Sequence, residues 1–150
     1  MITTEEIKTL RETTGLSIMQ CREALEEAGG DKDKAIALLK KRGAEIAVKK
    51  GDRVLGAGVI VSYIHTGETV GVMLELLCET DFVAKNSEFK SVARDIGMHI
   101  AAMNPPDTTA LLEQPFIKDA EQKISGLINN TVQKFGERVE IGRFARFSLN

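Results

Sequence analysis

The chain has little cysteine, little proline and no surplus of charge of one sign. Its 150 residues include two cysteines, Cys21 and Cys78. Neither has a neighbour at C-x-x-C spacing, which excludes the common zinc and dithiol redox motifs. Both stand among apolar residues and read as small buried thiols of a reducing cytosol. Three prolines and 13 glycines are too few for a disordered chain. Twenty basic side chains stand against 22 acidic ones, a formal net charge of -2. A protein that grips nucleic acid usually carries a basic excess or stripe, so direct nucleic-acid binding is not expected. No apolar run approaches the ~20 residues of a membrane span. The N-terminal "MITTEEIKTL" is acidic where a signal peptide is basic, and it lacks the apolar stretch. The expected location is cytoplasmic. Neither GxxxxGK[ST] nor GxGxxG occurs, so no phosphate-cradling loop is present. His65 and His99 have no third group at a spacing that marks a nucleophile and its base. With no metal or cofactor motif either, the expectation is a binding protein and not an enzyme.

What is present divides at about residue 50. Thr3 with Glu6 and Ser17 with Gln20 fit capping boxes, and each precedes an apolar stripe of helical period. Ile7 and Leu10 begin the first stripe. Ile18, Cys21, Ala24, Leu25 and Ala28 form the second, which Gly29-Gly30 ends. Asp31 or Asp33 caps a third helix with Ala35, Ile36, Leu38 and Leu39 inside, closed at Gly43. Residues 1–43 thus read as a three-helix module too small to bury much, and 44–53 as a polar linker with room for some helix.

From Leu55 the period becomes two. Leu55 to Ile64 and Val70 to Cys78 form a hairpin around the turn "HTGET". A helix follows from about Ser87 to Met103, ended by "NPPD". "LLEQPF" reads as extended or looping. A second helix carries Ala120, Ile124, Leu127, Ile128, Thr131 and Phe135. A last strand places Val139, Ile141, Ala145, Phe147 and Leu149 on one face. The fold class is α+β: three helices, then a core over 54–150 of three antiparallel strands covered by helices.

One joint stands apart. "CETDFVAKNSEF" (Cys78 to Phe89) puts a large aromatic, Phe82, in the connection between a buried strand and a helix. Residue types leave two readings open. The ring plugs this chain's own core under the next helix, or it probes another protein. Asp81 beside it is a candidate N-cap.

The segment "LRETTGLSIMQCREALEEAGGDKDKAIALLKKRG" carries the pattern TG-x-x-x-M-x-C-x-x-AL, and TDFVAK follows the hairpin. With "LLEQPFIKD" and "RFARFSLN", these stretches resemble the elongation factor Ts family, nucleotide exchange factors for the translation GTPase elongation factor Tu. The resemblance spans nearly the whole chain. It implies a ubiquitin-associated type of N-terminal module and a role in protein synthesis. It further implies that Thr80, Asp81, Phe82 and Val83 meet the GTPase domain of elongation factor Tu. There the phenyl ring wedges between helices and disturbs the magnesium and phosphate site. Ile18, Met19 and Arg22 match a segment that touches the same domain, although Ile18 and Met19 also suit packing inside the module. His65 matches a hairpin-turn histidine that touches the partner or shapes the turn. The chain departs from longer members, since "MHIAAMNPPD" runs almost directly into "TTALLEQPFIKD" and only one hairpin exists. A single core offers a small grip, so two copies are expected to pair as a homodimer. Two other functions compete. One is an adaptor whose α+β part only dimerises, and it needs no exposed Asp81-Phe82. The other is RNA binding through Arg138, Arg143 and Arg146.

Overall fold

The two capping boxes form as the sequence predicts. In the computed structural model, which describes residues 1–149, Thr3 caps α1 (Thr4–Thr14) and Ser17 caps α2 (Ile18–Glu27), each in reciprocal exchange with its N3 residue. Asp31 caps α3 (Lys32–Lys49). Leu10, Leu16, Cys21, Ala24, Leu25, Ala35 and Leu39 close into one small core. Ile18 is not part of it. It is the first residue of α2, and Leu16 seals that end of the module, leaving Ile18 half exposed.

The third helix does not close at Gly43. It runs on to Lys49, so much of the expected linker is helical. Gly43 serves close approach instead. A Cβ there would stand 3.0 Å from Gln133 Oε1 and 3.2 Å from the Asn129 carbonyl on α7 (Ile124–Phe135). Past that crossing, Ile46 and Ala47 of α3 pack on the second core. One helix therefore ties module to core, and the chain turns only at Lys50–Arg53.

The sheet has the order β1-β2-β5, all antiparallel, from β1 (Ala57–Ile64), β2 (Val70–Cys78) and β5 (Glu140–Ser148). Val72, Leu74, Leu76 and Cys78 of the central strand turn inward. Against them lies α5 (Ser87–Met103), whose predicted span matches, with Phe89, Ala93, Ile96 and Ile100 buried. Ile124, Ile128 and Val132 of α7 complete this core. No helix among the described residues is long and apolar enough to cross a membrane.

The last strand does not keep one face. Its pairing with β2 shifts from Leu74↔Phe144 to Leu76↔Ile141, so Gly142 and Arg143 together oppose Glu75. Such a bulge adds one residue and inverts the side-chain alternation beyond it. Ile141 and Phe144 pack on the core, whereas Ala145, Phe147 and Leu149 are exposed. Glu75 drives the inversion. It accepts from the Arg143 backbone N–H at 2.8 Å and from the guanidinium at 3.0 and 2.8 Å. These bonds hold its carboxyl down at about 2.

The segment from Thr108 is also more structured than its sequence suggests. It forms α6 (Thr108–Glu113), then a small hairpin of β3 (Pro115–Phe116) and β4 (Asp119–Lys123). The predicted helix from Ala120 consequently begins at Ile124. Buried His99 anchors the hairpin. The Ile117 N–H donates to its Nδ1 at 3.2 Å, which leaves Nε2 to donate to Gln114 Oε1 at 2.9 Å. Burial pushes this imidazole below its ordinary value, and the Gln114 bond opposes that shift.

Candidate functional site

Between β2 and α5 the chain makes a single turn of helix, α4 (Asp81–Ala84). Thr80, not Asp81, caps it: the Thr80 hydroxyl accepts from the Val83 N–H at 3.4 Å. Asp81 occupies the first helical position, where a carboxylate suits the unpaired amides. The apolar half of the turn faces inward, with Val83 and Ala84 each 5% exposed. Phe82 points the other way and is 86% exposed. The chain does not use this ring as a core plug. That place belongs to Phe89, at 0%, set edge-on to Phe135 with ring centroids 6.0 Å apart.

The turn is held from below. Both the Glu79 and Thr80 N–H groups donate to Glu137 Oε1 at 3.0 Å, and the Thr80 hydroxyl donates to Glu137 Oε2 at 2.6 Å. In return the Arg138 N–H donates to Glu79 Oε2 at 2.5 Å. Arg138 also reaches the Arg53 carbonyl and Glu140. Cys78 at the strand end donates from Sγ to the Thr80 carbonyl at 3.3 Å. Burial, and then the nearby Glu137 charge, pushes the Cys78 thiol up, so it stays protonated and inert. Downstream, Asn86 caps α5. An exposed phenyl and an acid therefore sit on a short, doubly anchored rung.

The module residues lie just beyond a turn docked on α7. On α2, Met19 is 68% exposed, and Arg22 is exposed too. The α1–α2 turn before them is docked on α7. Asn130 donates from Nδ2 to the Thr14 carbonyl at 3.0 Å. A Cβ at Gly15 would stand 3.1 Å from Lys134 Nζ, and Lys134 pairs with Glu88 in the first turn of α5. The Lys134–Glu88 bridge thus lies between the start of α2 and the helix that follows α4. His65 is elsewhere. It sits at the turn end of the hairpin, with Nδ1 2.9 Å from the Tyr63 hydroxyl. Because Ala57 pairs with Cys78 and Ile64 with Gly71, about 23 Å of strand separates it from α4 at ~3.3 Å per residue.

Sequence reasoning did not single out Glu137, Glu79, Asn130 or Lys134. Glu137 lies 57 residues from Thr80, and no local pattern links the two. The only signal was the helix stop at Gly136, which places Glu137 at an element boundary.

Comparison with known proteins decides the family. The profile of the family described as Elongation factor TS matches residues 4–106 and 79–150. The chain belongs to the elongation factor Ts family. It is similar to the elongation factor Ts of Thermodesulfovibrio yellowstonii, 40% identical over 192 aligned positions that take in 99% of this chain and 96% of the relative. The protein of that name from Carboxydothermus hydrogenoformans is 39% identical over 194 positions, covering 99% and 89%. That from Geotalea uraniireducens is 36% identical over 193, with the same coverages. Each alignment exceeds the 150 residues of this chain, so these relatives carry internal segments that it lacks. Membership in the elongation factor Ts family assigns the chain a role in translation elongation.

Proposed function

We propose that the chain is a guanine-nucleotide exchange factor that speeds GDP release from elongation factor Tu. Asp81 and Phe82 press on the GTPase domain and disturb its magnesium and phosphate site, with Thr80 and Val83 shaping the turn. Met19, Arg22 and the exposed part of Ile18 supply a second contact from the module. His65 meets the partner at a separate point. The carrying observation is the 86% exposure of Phe82 on an anchored turn. An adaptor has no use for such a ring, whereas an exchange factor needs one. Coupling between the two ligands is reciprocal: a protein that prefers the nucleotide-free GTPase weakens nucleotide by the same factor. Burying one phenyl contributes about 1.5–3 kcal/mol, or roughly 10- to 100-fold. Loss of magnesium stabilisation and the module contacts supply the remainder. The test is release of fluorescent GDP from elongation factor Tu on addition of the chain. The expected rate rises hyperbolically with concentration; a rate equal to that of the GTPase alone overturns the proposal.

The chain acts as a homodimer under this reading. The two family matches overlap over residues 79–106, the stretch of α4 and α5, so this stretch is matched twice and the hairpin before it once. A second copy of the chain supplies what the longer relatives carry internally. The outer sheet face suits it, with Ile60, Ile64, Met73 and Phe147 each at least 57% exposed, aligned across strands as Ile64↔Gly71↔Phe147. Light scattering at micromolar concentration should report two chains. A monomer that exchanges nucleotide at full rate overturns this part.

A further inference from the structure

We infer that Glu137, on the turn between α7 and β5, is the positioning residue that sets the direction of Phe82. The inference rests on the exchange reading above, in which Phe82 acts. A hydroxyl carries one proton. That of Thr80 goes to Glu137 Oε2 at 2.6 Å, a charge-assisted bond of the strong kind. With the proton committed, an oxygen lone pair is turned to the Val83 N–H, which it receives at 3.4 Å. That bond is the N-cap of α4, the only helical turn that carries Phe82. The other carboxylate oxygen takes the Glu79 and Thr80 amides, both at 3.0 Å, and so pins the strand-to-helix junction itself.

The arrangement matters because α4 is a single turn with little of its own to hold it beyond the burial of Val83 and Ala84. Four residues are far below the length at which a helix persists alone. Only Val83 and Ala84 bury side chains, while Phe82 gains nothing from its own chain. Glu137 reaches this turn from the other end of the sequence. It is fixed by Gly136, which ends α7 in the left-handed region at φ 70°, and by the bond from the Arg138 N–H to Glu79. Residues 79 and 80 and residues 137 and 138 thereby grip each other through two carboxylates and three backbone amides. A rigid ring loses less freedom when it docks, and a small error in its direction costs the step that depends on it.

The test uses Glu137→Gln in the full chain. Gln keeps one acceptor oxygen, removes the charge and turns an N–H donor toward the Thr80 hydroxyl. In the free chain, amide hydrogen exchange at Val83 should quicken by about 2- to 30-fold, the factor that loss of an N-cap represents, while the Leu74 and Leu76 amides stay protected. In nucleotide release, the plateau rate should fall by about 10- to 100-fold, with the half-saturating concentration nearly unmoved because the module contacts remain. The double variant with Phe82→Ala should be no slower than Phe82→Ala alone, since both changes act through one ring. Thr80→Ser should retain Val83 protection and Thr80→Val should lose it, which covers the case of a Glu137 variant that folds poorly. Unchanged Val83 protection overturns the inference, as do effects of Glu137→Gln and Phe82→Ala that multiply. If the wild-type chain fails to release nucleotide, the exchange reading falls and takes the role of Glu137 with it. If Phe82→Ala is slow while Glu137→Gln is not, only the role of Glu137 falls.

Discussion

Truncating Phe82 to alanine removes a ring that its own chain barely covers. At 86% exposure the phenyl loses little buried area, so the free protein should keep its stability within about 0.5 kcal/mol. The control lies seven positions on. Phe89 is fully buried, and Phe89→Ala should cost about 3–5 kcal/mol through lost transfer energy and an unfilled cavity. For a chain of this size, each kcal/mol moves the melting point by about 2–4 °C. The pair should therefore separate by roughly 6–20 °C in a thermal melt read by circular dichroism. Nucleotide release should show a different ranking. Phe82→Ala loses the 1.5–3 kcal/mol that its ring gains on burial in a partner, or roughly 10- to 100-fold in rate at limiting concentration. A Phe89→Ala chain that still folds below its melting point should release nucleotide faster than Phe82→Ala does. If Phe82→Ala melts more than about 5 °C early, the ring belongs to the protein's own core and the reasoning fails. If it melts normally and releases nucleotide at the wild-type rate, the ring is bystander surface.

Three further outcomes are expected. His99 is buried and its folded-state pKa lies below the ordinary 6.5, so the unfolded chain takes up this proton first. Urea stability should fall as pH drops below about 6.5 and cease to fall, for this group, below the folded-state pKa; a His99→Gln chain should lack that slope, and an unchanged slope refutes the assignment. Gly43→Val sets a branched side chain against the Asn129 carbonyl, which already lies 3.2 Å from a lone Cβ, and should cost about 1–3 kcal/mol by overpacking in chemical denaturation. Met73→Glu, on the outer sheet face, should leave the melt of a dilute monomer unchanged within about 0.5 kcal/mol yet halve the mass seen by light scattering; a dimer that survives it places the interface elsewhere.

Much of the fold was legible because its signals are local. Capping boxes are pairs three residues apart, and both formed. The hairpin and α5 announced themselves by period and by their turn residues. The family was legible too, in TDFVAK and in the spacing of the first module. The errors came where a distant contact overrode a local rule. Gly43 looks like a helix stop, but it is the point where α7 crosses α3. Ala145 and Phe147 fell to the outer face because Glu75 and Arg143 build a bulge that no alternation pattern predicts. The β3–β4 hairpin displaced the start of a helix because His99 offers its Nδ1 to Ile117.

The sequence alone determined the element order, the α+β class and the identity of the unusual ring, since these follow from neighbours within a few residues. Residue types could not say which way Phe82 points. A phenyl ring buries equally well in its own core or in a partner's. Only tertiary structure decided it, by filling the core with Phe89 first and by bringing Glu137 across 57 residues to hold the turn.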